Sequence, residues 1–249
     1  MFQAAPPTRF DLNFTLAGFP VRVHPLFWVI ALLLGSGMDN LLMIPVWIVI
    51  VFVSILAHEL GHALAFRRYG QDSHILLHFS GGLTIPESAP FGSGYANAGL
   101  TPNQHILVSL AGPFAGFLLA ALTLAVGTAL GGEIIVTTIL GVIPFPLVLM
   151  PYGSGILTDI FITMLWVNVF WGVINLLPVY PLDGGQVSRY FFIQRNPYGG
   201  LRLSLWVSVM TGGLLAILGV TVLGSIYMAF LFALLAFQSF QMLQSLGRY

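Results

Sequence analysis

Residues 50–69 read IVFVSILAHELGHALAFRRY, and how this stretch is understood decides what kind of chain this is. His58 and His62 are four apart, so on a helix they share one face, with Cβ atoms about 6 Å apart. Two neutral imidazoles so placed can grip one divalent ion, and zinc is an ion such nitrogens commonly hold. Glu59 follows the first histidine and points another way, where it can reach a water on the open side of the metal and act as general base. The pattern H-E-x-x-H is fairly specific because it asks for three residue types at fixed offsets. Its flanks here are Val, Ile, Phe, Leu and Ala, where a water-soluble helix would show a mixed face. A charged residue in such surroundings costs about 2.5–3.5 kcal/mol on insertion scales and marks a functional site.

The 249 residues are 57% hydrophobic and 6% charged, with a mean hydropathy of +0.94. Ordinary soluble domains carry about 25% charged residues, so this chain cannot cover a water-facing surface and belongs in a lipid bilayer. All basic residues are Arg, and the net charge is zero, which argues against nucleic acid as a partner. Cysteine is absent, which excludes disulfides and thiolate metal ligands. The expected fold class is an all-α membrane protein of about six transmembrane helices in a single polytopic domain over residues 1–249. A small β-hairpin or re-entrant region is expected after the second span.

In chain order, residues 1–23 lie outside the membrane and the first span covers His24 to Gly37. No small-residue cleavage site in a polar region follows that run, against a signal-peptide reading. The second span runs from Leu41 to Phe66 and is closed by Arg67 and Arg68, which mark the cytoplasmic side. Both termini are then cytoplasmic, with Arg9 and Arg22 at one end and Arg248 at the other. The metal motif falls toward the cytoplasmic end of its helix. The third span, Gln104 to Leu130, is expected to be broken near its start by Gly112-Pro113. Its small residues Ala111, Gly112, Ala115 and Gly116 suit close helix packing. Residues 134–150 are apolar, but Pro144, Pro146 and Pro151 argue for a re-entrant segment. Arg189, Arg195 and Arg202 support that topology. Further spans are expected at 160–177, 201–220 and 225–246.

Residues 74–86 read as two short strands around Ser80-Gly81-Gly82. This is either a plain surface hairpin or a strand edge beside the metal, where Gly81 and Gly82 would border an extended peptide held by backbone hydrogen bonds. Residues 86–103, rich in Pro and Gly, read as loop. A catalytic zinc takes three protein ligands and keeps one position open. Asp183 is the best candidate for the third: it follows two prolines that stop a helix, and Gly184 and Gly185 let the backbone come close. One divalent ion with the carboxylates of Asp183 and Glu59 also sums to zero charge. His78 is the next candidate. His24 and His105 read as interfacial anchors, and His74 as a hydrogen-bonded surface residue.

HELGH at 58–62 and NLLPVYPLDGG at 175–185 together resemble the site-2 protease family of intramembrane zinc metalloproteases, and SLAGP at 109–113 is similar to a third element of that family. The resemblance covers about residues 20 to 200. It implies one Zn2+ per chain held by His58, His62 and Asp183, with Glu59 as catalytic base. It implies Asn175 as a residue that steadies substrate or a developing oxyanion. It further implies a transmembrane protein as substrate and release of a regulatory protein from the bilayer. Where many members carry an Asn a few residues after Gly-Pro, this chain has Phe114-Ala115-Gly116-Phe117. There is room in it for neither a PDZ domain between spans nor a CBS domain after them. The competing class is a non-proteolytic metal-binding membrane protein, a transporter or scaffold. A transporter has no need of a glutamate after the first histidine, and no inverted repeat is visible.

Overall fold

The computed structural model describes residues 6–38, 40–87, 99–139, 143–151 and 155–246. Five of its helices are long and apolar enough to cross a bilayer: α2 (Met43–Arg68), α3 (Pro102–Ala129), α4 (Gly155–Asn175), α6 (Gly200–Thr221) and α7 (Ile226–Ser245). A short helix, α1 (Pro25–Gly35), precedes them, and α5 (Asp183–Arg195) lies between α4 and α6. The chain divides into two compact units, Met1–Ser88 with Phe114–Gly172, and Ala89–Pro113 with Val173–Tyr249.

In the first unit, β1 (Leu12–Leu16) and β2 (Phe19–Val23) form a hairpin. Ala17 and Gly18 at its tip have φ of +50° and +83°, the left-handed pair that a tight two-residue turn requires. β2 pairs in parallel with β3 (Ser73–His78), Val21 opposite Ile75 and Val23 opposite Leu77. Parallel neighbours need a long crossover, and α1 and α2 supply it. β3 pairs antiparallel with β4 (Gly81–Pro86), so the sheet order is β1-β2-β3-β4. Phe19, Val21, Val23, Ile75 and Leu77 form a core with Phe27, Val51, Ile55 and Ala63. Arg67 closes this unit: its Nη1 donates to the Ala17 carbonyl at 2.8 Å, and its guanidinium lies 3.5 Å from the centre of the Phe19 ring.

Two expectations are corrected here. The first span is not a full-length helix: α1 has 11 residues, about 16 Å of helix against a hydrocarbon core of about 30 Å. The residues before it are used as strand, with Phe19, Val21 and Val23 buried and Pro20 exposed, an alternation with period two. The architecture is also less purely helical than an all-α reading allows, because residues 133–149 form β5 (Glu133–Ile139) and β6 (Ile143–Leu149), an antiparallel pair. Pro144 and Pro146 are two apart, so both can turn their missing N–H away from β5. Val148 and Phe145 of β6 pack with Ala120, Phe161 and Leu165.

A third correction concerns α3, which runs unbroken through Pro113. Proline inside an apolar helix is tolerated where neighbours re-satisfy the freed carbonyl. Beyond it, Gly116 faces the Asn168 carbonyl of α4, and the Phe117 ring lies against Gly172. This is the close approach that drives helix association where lipid removes the hydrophobic incentive. Asn168, 2% exposed, donates from Nδ2 to Ser54 Oγ of α2 and to the Met164 carbonyl, each at 2.9 Å. Such interhelical bonds are worth about 0.6 kcal/mol on average, so the bond to Ser54 sets register more than stability.

In the second unit, α6 and α7 are packed through Gly212 against Ala236 and Gly219 against Ala229. The turn between α4 and α5 is held by Ser208 Oγ, which accepts from Tyr180 N at 3.1 Å. Ser239 Oγ donates to the Tyr180 carbonyl at 3.4 Å. His105 stacks on Tyr190 with ring centroids 4.1 Å apart. Of the proline- and glycine-rich stretch read as loop, residues 88–98 lie outside the described residues, as does Arg248.

Candidate active site

His58, Glu59 and His62 lie in the second half of α2 and are 6%, 5% and 8% exposed. The helix carries them because its flanking residues are apolar throughout and no proline interrupts it after Pro45. One turn separates the two histidines. Their Nε2 atoms come to 3.2 Å from one another, with the rings 78° apart in plane. Two nitrogens bound to one tetrahedral zinc at about 2.0–2.1 Å stand about 3.4 Å apart. The imidazoles are therefore already set as a chelating pair, and the donor type and spacing fit zinc.

Glu59 points to the sheet. Thr84 of β4 shares its one hydroxyl proton between both ends of the residue, with Oγ1 2.7 Å from Glu59 Oε2 and 3.0 Å from the Glu59 main-chain oxygen. Gly82, two residues earlier on the same strand face, leaves the space that the carboxylate occupies; a Cβ there would overlap Glu59 Cγ and Oε1. Gly81 has a φ of +117° with open space around it, so it serves the turn and makes no contact of its own with Glu59. His78 is buried at the end of β3, its ring nitrogens within 3.2–3.4 Å of Ser80 Oγ. Burial, with the nearby charges of His24 and Arg22, holds its pKa below the ordinary imidazole value.

The remaining histidines have structural partners. His24 caps α1, its Nδ1 accepting from Leu26 N at 3.2 Å. His74 faces Glu87 at 3.8 Å. Asn175 is the last residue of α4, and Asp183 is the first residue of α5, a position where helix dipoles favour negative charge. The segment around Asp183 is tight: a side chain on Gly184 would strike the backbone of Leu176 and Leu177, and one on Gly185 that of Val179 and Tyr180. Sequence reasoning treats this backbone as irregular, and α5 is not foreseen there. Thr84 is also missed. The available signal is that it shares a strand face with Gly82, so whatever the glycine admits the threonine also touches.

A polytopic membrane protein with a buried two-histidine chelate and an adjoining glutamate is, as a class, a membrane-embedded metallopeptidase scaffold. The model of Peptidase family M50 matches residues 46–217, and the chain belongs to that family, the site-2 protease family to which its motifs point. It is 23% identical over 227 residues to the zinc metalloprotease MJ0392 of Methanocaldococcus jannaschii, covering 87% of this chain and 58% of that protein. It is 28% identical over 196 residues to Rip3 of Mycobacterium tuberculosis, covering 73% of this chain and 43% of the relative. The chain thus spans about half the length of these curated relatives. Among solved structures, the site-2 protease from Methanocaldococcus jannaschii shares the fold, with a TM-score of 0.55 at 22% identity over 94% of this chain and 95% of that one.

Proposed function

We propose that the chain is an intramembrane zinc endopeptidase that hydrolyses a peptide bond within or near a transmembrane segment of a membrane-anchored substrate, releasing a regulatory protein. The observation that carries this reading is the chelating pair of imidazoles with Glu59 buried beside it and pinned by Thr84. The metal would be one zinc ion per chain, with His58, His62 and Asp183 as the residues that would hold it. When bound, zinc polarises the scissile carbonyl and acidifies water.

The chain's own groups do the rest. Glu59 takes the proton of the attacking water at its carboxylate and passes it to the leaving amine. The sheet-terminal strand β4 offers an edge on which an unwound substrate segment adds as a further strand, bordered by Gly81 and Gly82, while Asn175 steadies the substrate or its oxyanion. Substrates are expected to carry Gly, Pro or other helix-weakening residues near the cut. The arginines at the end of α2 and in and after α5 support a site toward the cytoplasmic side and both termini in the cytoplasm, with β2 paired to β3 just beyond Arg67 and Arg68. The two compact units act as one protease domain.

Purified protein in liposomes, given a model transmembrane peptide, is expected to cleave it, to stop on zinc removal by a chelator and to recover on zinc addition. Cleavage that continues after zinc is stripped to below the enzyme concentration overturns the metal assignment. A second test uses the strand. Gly82→Ala drives a methyl into the Glu59 carboxylate and is expected to lower turnover by about tenfold or more with zinc content unchanged, since small misplacements of a reacting group cost rate steeply. Gly81→Ala meets no neighbour but forces a left-handed backbone, costing about 1–3 kcal/mol. It is expected to lower thermal stability and to raise KM for the peptide, with kcat little changed.

A further inference from the structure

We infer that Thr84 is a positioning residue for Glu59, an inference that rests on the protease reading above. Glu59 alone has freedom enough to lose its aim: its side chain has three rotatable bonds, and a helix surface sets only where it begins. Thr84 restricts it. The threonine is β-branched and stiff about its first torsion, and it stands on a strand whose other edge is locked to β3, with Thr84 opposite Ile75. Its hydroxyl reaches Oε2 at 2.7 Å and the Glu59 main-chain oxygen at 3.0 Å. A single group therefore ties the carboxylate to the backbone from which it grows. At 2.7 Å the contact with Oε2 has ordinary O–H···O length, close enough to fix the direction of the carboxyl group. Gly82 completes the arrangement by removing bulk on the same face, leaving Oε2 held by Thr84 and Oε1 against the strand backbone. Helix α2 thus supplies the base, and β4 sets its aim.

A hydroxyl that merely satisfied a helix carbonyl would give a different pattern on substitution, and the series Thr84→Val, Thr84→Ser and Thr84→Ala separates the two. Valine keeps the shape and strand preference and removes the donor; serine keeps the donor. With purified protein and a model transmembrane peptide, Thr84→Val is expected to lower kcat about 10- to 100-fold, the scale on which supporting partners of a reactive site act. KM, zinc content and melting temperature are expected to stay near wild type. Thr84→Ser is expected to recover most of kcat, and Thr84→Ala to follow valine. Infrared difference spectra against Glu59→Gln give a readout that needs no turnover: the Glu59 carboxylate band is expected to move in Thr84→Val and to return in Thr84→Ser. Wild-type kcat in a folded Thr84→Val, or a loss that serine does not rescue, overturns the inference. If the wild-type chain cleaves nothing while the band shifts as described, the protease reading fails and the positioning contact stands.

Discussion

Glu59→Gln is expected to bring peptide cleavage down about a hundredfold to ten-thousandfold, the range that a positioned general base contributes. The substitution keeps size and shape and removes the ability to accept a proton. The protein should remain folded, because an amide oxygen can still accept from the Thr84 hydroxyl, which donates to Oε2 at 2.7 Å in the wild type. Zinc content should stay near one per chain, since the two imidazoles whose Nε2 atoms stand 3.2 Å apart are untouched. The measurement is initial rate on a model transmembrane peptide beside zinc quantification on the same preparation. Undiminished cleavage with zinc retained would remove Glu59 from the chemistry. Loss of zinc together with activity would instead make Glu59 part of the metal's coordination.

The second large effect is expected at Asp183. Its replacement by Ala should lower zinc affinity by more than about a hundredfold, beyond what the loss of an outer-shell partner costs, with activity lost in parallel. Asp183 opens α5, so some stability is also lost with a negative charge at a helix start, about 0.3–1 kcal/mol. Asp183→Asn repeats the test without loss of bulk: it removes the same charge, keeps the size of the side chain and is a poor ligand for zinc. Both variants are expected to leave α5 formed, because Gly184 and Gly185 still fit against the backbone of residues 176–180. Metal affinity is read by competition with a chromogenic chelator. If either variant bound zinc as tightly as the wild type, the third ligand would lie elsewhere, with His78 the first residue to replace.

Much of this protein is legible in one dimension because its strongest constraints are local. A charge content of 6% in a chain 57% hydrophobic leaves the bilayer as the only solvent, and uniform apolar runs then declare five crossing helices within a few residues of where they stand. The two histidines and Glu59 are legible for the same reason: helical spacing alone sets the chelating pair. The family follows from two motifs whose order and setting are written in the chain.

What is not legible comes from pairing between distant segments. The run from His24 is apolar, so it reads as a span, yet β2 takes the residues just before it by pairing with the distant β3, and the helix that follows has 11 residues. Residues 133–149 carry two prolines, Pro144 and Pro146, in an apolar run, which argues against a straight helix but does not say that two halves will pair with each other. Thr84 is the sharpest case. Its one local signal is the strand face it shares with Gly82, and only the packing of β4 on α2 brings its hydroxyl to Glu59.

By itself, then, the sequence determined the solvent, the helix that carries the paired histidines, and the family, since each depends on composition or on motifs written along the chain. Tertiary structure alone decided that a four-stranded sheet joins residues 12–23 to residues 73–86, and that the strand at its end brings the Thr84 hydroxyl to Glu59. The physical reason is that helical hydrogen bonds close between near neighbours. Strand hydrogen bonds, and contacts between a strand and a helix, close between residues whose separation along the chain carries no signal.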